Sequence, residues 1–506
     1  MLLSMYTPII YRQISIKGAI IADMLSDRLI VAQNPWWTDP GRWEAQDGHL
    51  RALSLQPVRL PTQVIDRIAL DEAGTHVIRG PRQVGKSTEL KLLARRAMAE
   101  GLHPRSIVYL SLDAIDGEPH AEAADTIARA CALSRATGAR LLLLDEVTSV
   151  PKWQLAVKHL FDIGLTRDDV VVCTGSSAVH LRRGVKERLP GRRGRGADHF
   201  AAPRSFAGFA AAMDPLVPAS PGLTLDELAA PDGGVLLHDA LLHQPRIDDL
   251  MRLYVRFGGL PAAIAEAAAG ANEPSAAVLK VVEDSVAGET LRRGASVAAT
   301  RALLERVLRS LGSKTSWPAL ARDMGVPLGR GAGTSRSQPQ TMRSYIEFLT
   351  ECYQVLVLYF WRPDSGSSDL SRDKKLYFAD PLLNTLALAR APGLVPDHPA
   401  VVENLVALAL LRAVTPRDEL ADAFNDPSAL HVWGTSSGGE IDFVCGSRGR
   451  AVAVEVAYQR SPDRRKAAAL PKAFPGRPCV MVTRDSLEWH ERYALVPAAL
   501  FLWALG

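Results

Sequence analysis

From Val64 to about Met213, short unbroken apolar runs alternate with segments whose apolar positions recur every three or four residues. The runs are Thr75 to Ile78, Ser106 to Leu112, Arg140 to Leu144 and Asp169 to Cys173. LLLL and VVVC show no polar alternation, which suits strands covered on both faces. Between them, Ser87 onward carries Leu90, Leu92, Leu93 and Met98, Ala121 to Ala136 has helical spacing, and Trp153 to Ile163 turns Leu155, Val157, Leu160 and Phe161 inward. Strands alternating with helices predict a parallel sheet. A Pro-, Gly- and Ala-rich stretch from Pro215 to Gly234 breaks this rhythm. Helices follow from Leu236 to about Arg293, around the turn Phe257-Gly258-Gly259-Leu260-Pro261. Thr300 to Gly312, Ser316 to Met324 and Gln340 to Cys352 read as three more helices, and Val355 to Phe360 as a strand. That set has the size of a winged helix, with the polar insert Gly329 to Ser337 before its third helix. A last α/β segment spans Asp373 to Gly506.

The first strand and helix enclose Gly80-Pro81-Arg82-Gln83-Val84-Gly85-Lys86-Ser87, which fits the pattern G-x-x-x-x-G-K-[ST] in the strand–loop–helix setting it needs. Gly80 and Gly85 let backbone N–H groups turn toward phosphates. Lys86 would put a point charge on the β/γ oxygens, and the Ser87 hydroxyl would reach Mg²⁺. The helix N-terminus adds partial positive charge. The nucleotide-binding set is therefore Gly80, Pro81, Arg82, Gln83, Val84, Gly85, Lys86, Ser87 and Thr88. Asp145 and Glu146 close the apolar run LLLL. Two acids in that position call for a cation or solvent. Asp145 is expected to hold Mg²⁺ and Glu146 to polarise the attacking water. Thr174, in Thr174-Gly175-Ser176-Ser177, ends the next run and is a candidate for touching the γ-phosphate or the water; a simple turn explains those residues equally.

With 506 residues the chain is long enough for three or four domains. A hydrophobic share of 47% with 23% charged residues describes a globular chain with ample core. Net charge +4 permits an acidic partner without arguing for nucleic acid. Cys131, Cys173, Cys352, Cys445 and Cys479 form no C-x-x-C pair. That argues against a disulfide framework or zinc site and for a reducing, cytoplasmic setting. No run approaches a membrane span, and the first residues do not pattern as a secretory signal. Met24 is a second candidate initiator. Asn34-Pro35-Trp36-Trp37 reads as an arm packed on the next domain. Arg182, Arg183, Lys186, Arg188, Arg192, Arg193 and Arg195 form a basic cluster. Within it Arg192 is the candidate arginine finger, supplied in trans by a neighbouring subunit of a homo-oligomer; a solvated face is the alternative.

GPRQVGKS, LLLLDEV with Pro151-Lys152-Trp153, VVVCTGSS and LPGR together resemble the prokaryotic AAA-superfamily ATPases that carry a C-terminal restriction-endonuclease-like domain. FGGLPAA, TMRSYIEFLTECYQVLVL, KKLYFADPLLN, VVENLVALALLR, GGEIDFV and AVEVA extend the resemblance over nearly the whole chain after residue 30, and NPWW resembles the lead-in of archaeal and actinobacterial members. The resemblance implies an α/β fold with a P-loop AAA-type parallel sheet domain, a helical lid, a winged-helix domain and a PD-(D/E)xK-like α/β domain. The corresponding bounds are 1–58 for the arm, 59–214 for the ATPase core, 215–295 for the lid, 296–362 for the winged helix and 363–506 for the nuclease-like part.

In the family's nuclease set, Glu403, Asp442 and Glu455 are the matching acids. Alternating Ile441, Phe443, Val452, Val454 and Val456 read as paired strands that would bring Asp442 and Glu455 together on Mg²⁺. The family's lysine position is Ala457, which removes the cation that would support phosphodiester cleavage. Lys466 lies too far along the chain to be assumed as its replacement. The implied activity is Mg²⁺-dependent ATP hydrolysis coupled to DNA or to a protein partner, with cleavage weakened or lost. A nucleotide-gated scaffold and an ATP-regulated nuclease are the alternatives. Arg343, on the third helix of the winged-helix set, is the candidate phosphate contact.

Overall fold

The computed structural model describes residues 26–115, 119–175, 195–291, 294–322, 338–362, 364–391, 393–394, 398–434, 439–446, 451–459, 461–474 and 479–506. They belong to two compact units. The first holds the chain up to Leu55, Thr62–Arg79 and Gly85–His199; the second holds Gln56–Pro61, Gly80–Val84 and Phe200–Gly506.

The first unit is built on β1 (Gly74–Arg79), α1 (Lys86–Ala99), β2 (Ile107–Ser111), α2 (His120–Ser134), β3 (Leu141–Asp145), α3 (Trp153–Asp162) and β4 (Val170–Thr174). With β5 (Asp198–Phe200) the sheet runs in the order β2-β3-β4-β1-β5. Strands β1 to β4 pair in parallel, with Ile78 opposite Thr174 and Ser111 opposite Asp145. Every residue of β1, β3 and β4 is buried, as the unalternating runs require. α1 packs on β3 and β4 through a face that includes Leu90, Leu93, Ala94 and Ala97. Each of those leucines, fully buried, contributes roughly 1.5–3 kcal/mol. α2 stops at Ser134, short of the expected Ala136, because Arg135 turns into the left-handed region at φ 54°.

The second unit contains α4 (Phe206–Met213), α5 (Gln244–Phe257), α6 (Pro261–Ala268), α7 (Ala276–Leu291), α8 (Val297–Arg309), α9 (Trp317–Arg322) and α10 (Gln338–Glu351). There follow β6 (Val355–Arg362), β7 (Ser367–Phe378), α11 (Pro381–Arg390), α12 (His398–Val414), β8 (Leu430–Gly434), β9 (Glu440–Cys445) and β10 (Val452–Ala457). α13 (Arg464–Ala473), β11 (Cys479–Thr483), β12 (Glu488–Trp489), β13 (Tyr493–Pro497) and α14 (Ala498–Leu505) complete it. All eight strands form one sheet, ordered β12-β13-β11-β10-β9-β8-β6-β7. α5 buries Ile247, Leu250, Met251, Tyr254 and Phe257, a single stripe at helical spacing. α14 is apolar on every side and buried from Ala498 to Leu505, packing on α5 and α12. The FGG turn closes on the start of α11. Gly258 has φ +65°, a Cβ there would lie 2.0 Å from Asp380 Oδ1, and Asp380 accepts the Gly259 amide at 2.8 Å.

Two sequence expectations change here. β7 begins at Ser367, in a stretch with no apolar alternation, because it is the hairpin partner of β6 with Arg362 opposite Ser367 and Val355 opposite Phe378. Lys374 of β7 also bridges to Thr315, just before α9. The hairpin therefore spans the boundary expected at 362/363, and Phe360 of β6 pairs with Val432 of β8. The three helices and the hairpin occur in the order expected of a winged helix, but their strands belong to the same sheet as the C-terminal ones. The insert at 329–337 and the residues before 26 lie outside the described residues. All five cysteines are buried thiols. Among the described residues no helix is long and apolar enough to cross a membrane.

Candidate nucleotide site

The loop between β1 and α1 takes backbone conformations that its glycines permit. Gly80 has φ +149°, and a Cβ there would lie 2.1 Å from the carbonyl oxygen of Ala201. Gln83 follows at φ +64°, and Gly85, at φ +99°, is the N-cap of α1. No side chain caps α1 by hydrogen bonding. A helix that starts at a glycine N-cap suits an anion. Lys86 opens the helix, 7% exposed, and Ser87 and Thr88 follow on the first turn, half-buried. Glu89 on the same turn accepts the Gln63 amide at 2.9 Å. Arg82, in the part of the loop assigned to the second unit, pairs with the buried Glu289 of α7 at 2.8 Å. Pro81, Arg82 and Gln83 line a small pocket together with Leu260, Tyr353 and Asp380.

Asp145 ends β3 and is 3% exposed. Its Oδ2 accepts the Tyr109 hydroxyl at 2.9 Å; its Oδ1 accepts the Thr174 hydroxyl and, at 3.0 Å, the Glu146 amide. All three donors are neutral, and the buried Lys91 ammonium adds an electrostatic interaction. Glu146 stands in the left-handed region at φ 52° and is half-buried. Register explains the gathering: β2, β3 and β4 end side by side, so Ser111, Asp145 and Thr174 close one edge of the sheet. The structure thus brings Thr174 onto Asp145. Gly175 follows where a Cβ would lie 2.6 Å from Thr148. Ser176, Ser177, Arg182, Arg183, Lys186, Arg188, Arg192 and Arg193 lie outside the described residues. Arg195, the described member of that cluster, pairs with Glu72 at 2.5 Å on the surface. Within the first unit, the glycine N-cap, the start of α1 and the buried Asp145 carboxylate fit a nucleotide with its divalent cation.

Residues 73–207 match the family model of an AAA domain. That region is similar to an AAA domain. Residues 248–392 match the model of a domain of unknown function (DUF8612). No curated protein matches the sequence. Among solved structures, a Walker-type ATPase of Pyrococcus abyssi is 15% identical, with 64% of this chain and 93% of that one covered at a TM-score of 0.39. ORC1 of Aeropyrum pernix, solved in complex with DNA, is 16% identical over 63% of this chain and 87% of that one, at 0.29. AMPPCP-bound DnaA of Aquifex aeolicus is 13% identical over 62% and 92%, at 0.24. Likeness at that level carries no functional argument.

The other candidate acids lie in the second unit. Lys375 of β7, 2% exposed, places its Nζ 2.9 Å from each of Glu403, Glu440 and Asp442. The Tyr377 hydroxyl donates to Glu403 at 2.6 Å, Lys314 pairs with Glu440 at 2.7 Å, and the Val456 amide donates to Asp442 Oδ2 at 2.9 Å. The strand pairing expected of Ile441 and Phe443 with Val452 to Val456 is present as antiparallel β9 and β10, Phe443 opposite Val454. Glu455, buried at 4% exposure, accepts from Lys466 on α13, which returns over the end of β10. An ammonium thus reaches Glu455 in spite of Ala457.

Burial and the neighbouring Asp442 push Glu403 and Glu455 up to about 7, against the pull of Lys375 and Lys466 respectively. Burial lowers Lys375, but its three carboxylates outweigh that and hold it well above the ordinary lysine range. Glu440 sits below its ordinary value because Lys314 and Lys375 overcome its burial. Among the described residues no His, Cys, Asp and Glu side chains gather in a set that could hold a metal. Arg343 pairs with Glu347 one turn along α10, at 2.7 Å. Sequence reasoning missed Tyr109, Lys91, Glu289 and Lys375. Each sits in a run that reads as ordinary strand or helix, and only the spatial partners give it a role.

Proposed function

We propose that the chain is a Mg²⁺-dependent ATPase, working as a homo-oligomer, whose nucleotide cycle acts on DNA or a protein partner through residues 215–506. The observation that carries this reading is Asp145: a buried carboxylate with neutral hydrogen-bond donors, at the carboxyl end of β3, in the same unit as a helix that starts at a glycine N-cap. Gly80 to Thr88 would cradle the phosphates, Lys86 would meet the β/γ oxygens, and Ser87 and Asp145 would hold the metal. Mg²⁺, when bound, neutralises charge developing on the transferred phosphoryl group. Glu146 would orient and deprotonate the attacking water, and Thr174 would keep Asp145 in place. Arg192 would be supplied in trans. The test is ATP turnover with and without single-stranded, duplex and branched DNA, with oligomeric state followed alongside. Absence of nucleotide uptake by folded protein in magnesium buffer would end the proposal.

A second reading is favoured by Lys375: a nucleotide-gated scaffold whose nuclease-like domain recognises a partner without cutting. An internal ammonium shared by Glu403, Glu440 and Asp442 supplies the charge that a divalent cation would otherwise bring. Turnover indifferent to DNA, with no nicking in Mg²⁺, supports this scaffold. Nicking that is lost in Asp442→Ala would make the domain an ATP-regulated nuclease instead, with Lys466 as its ammonium.

A further inference from the structure

Residues 33–47 do more than pack on the first unit. β2 is an edge strand, and the arm covers its open backbone with side chains. Asn34 is fully buried and mimics a neighbouring strand: its Oδ1 accepts the Tyr109 amide at 2.6 Å and its Nδ2 donates to the Tyr109 carbonyl at 2.8 Å. Gln33 accepts the Ser111 amide at 2.7 Å. The indoles of Trp36 and Trp37 both donate to the Ile107 carbonyl, at 3.0 and 2.8 Å. These polar contacts of the arm fall on Ile107, Tyr109 and Ser111, and both backbone polar groups of Tyr109 are paired with Asn34.

The Tyr109 ring is clamped as well. Lys91 of α1, 4% exposed, sits with its Nζ 3.3 Å from the Tyr109 ring centroid and 5.1 Å from that of Trp36. Asp47 of the arm pairs with Lys91 at 3.3 Å. Arm, nucleotide-loop helix and edge strand therefore converge on one phenol, whose hydroxyl donates to Asp145 at 2.9 Å.

We propose that Tyr109 is a positioning residue that fixes the Asp145 carboxylate for its divalent cation, and that the Asn34–Trp37 arm with Asp47 and Lys91 is the clamp that holds Tyr109 there. This rests on the ATPase reading. It makes the arm part of the metal half of the site: displacing the arm would loosen Asp145 without touching the phosphate cradle.

The test uses the full chain and the variant Tyr109→Phe, which keeps the ring on Lys91 and removes one O–H. ADP binding is measured by calorimetry without metal and across a Mg²⁺ titration. Wild type binds ADP more tightly as Mg²⁺ rises. Tyr109→Phe is expected to lose about tenfold of that metal-dependent gain, the scale of a lost partner behind a metal ligand, with metal-free ADP affinity and melting temperature unchanged. Turnover then needs about tenfold more Mg²⁺ for half its maximum. Asn34→Ala is expected to shift the Mg²⁺ dependence in the same direction by less. A Tyr109→Phe protein with the wild-type Mg²⁺ gain overturns the proposal, as does an equal loss of metal-free ADP binding. A normal Mg²⁺ gain in Asn34→Ala removes the arm from it. Wild type that takes up no nucleotide with or without Mg²⁺ fails in a different way, by overturning the ATPase reading itself.

Discussion

Asp145 and Asp442 are both strand carboxylates held in a network of donors, yet the donors differ in charge. Asp145 receives two hydroxyls and an amide, all uncharged. Asp442 shares with Glu403 and Glu440 an ammonium from the same chain, and Glu455 nearby has Lys466. In the first network, uncharged donors orient the Asp145 carboxylate, and the Lys91 ammonium acts on it electrostatically rather than as a hydrogen-bond donor. In the second, the cation is covalently part of the fold and present in every state. A buried ion pair of that kind is weak evidence for net stability, but breaking it leaves uncompensated charge. The same residue type at a strand end thus meets uncharged hydrogen-bond donors in one unit and an ammonium donor in the other.

The sharpest way to break this contrast is Lys86→Ala. It is expected to reduce turnover by about 10²–10³-fold or more, with loss of ATP uptake in calorimetry, while melting of the second unit is unaffected. Glu146→Gln is expected to bind ATP normally and to slow turnover by about 10²–10⁴-fold, measured as phosphate release. Wild-type turnover in that variant would remove Glu146 from the chemistry. On the other side of the contrast, Lys375→Met leaves three acids around an apolar chain. Urea denaturation should show a loss of about 3–5 kcal/mol in the second unit, with ADP affinity retained. An unchanged midpoint would mean that Lys375 is dispensable.

A smaller effect separates the two by pH. Glu403 and Glu455 stand at about 7 in the fold against an ordinary 4.5. The folded state therefore holds protons that the unfolded state has released, and stability falls as pH rises through that window. Urea midpoints of the second unit should decline from about pH 5 to about pH 7, and Glu403→Gln should flatten the slope. A rising midpoint over that range would contradict the carboxylate assignment.

What the sequence discloses and what it hides follow the range of the forces involved. The positive φ angles of Gly80 and Gly85 and the burial of LLLLD are local, and motif and hydropathy announce them. β7 is hidden because its residues are polar: Asp369 answers Arg362 across the hairpin, and the adjacent lysines diverge, Lys374 toward the Trp317 ring and Lys375 toward the acids. A DKK run reads as surface when its partners are Glu403 and Asp442, many residues further on. Tyr109 is hidden for the same reason, since SIVYLSL looks like any buried strand until β3 brings Asp145 beside it. Arg343 was legible as an exposed base, but not as the partner of Glu347, a pair worth only about 0.3–0.5 kcal/mol. The β6–β7 hairpin crosses the expected 362/363 bound, which becomes visible only when the two are seen as paired strands.

The five thiols offer a clock for each half of the molecule. Cys131 and Cys173 belong to the first unit; Cys352, Cys445 and Cys479 belong to the second. Burial pushes Cys131 and Cys479 up to about 11 and Cys445 higher still, which suppresses the nucleophilic thiolate while the fold is shut. Alkylation of each sulfur in native buffer, read by peptide mass, would therefore time the transient opening of its own surroundings. The chain carries an internal pair of stopwatches that need no engineered label.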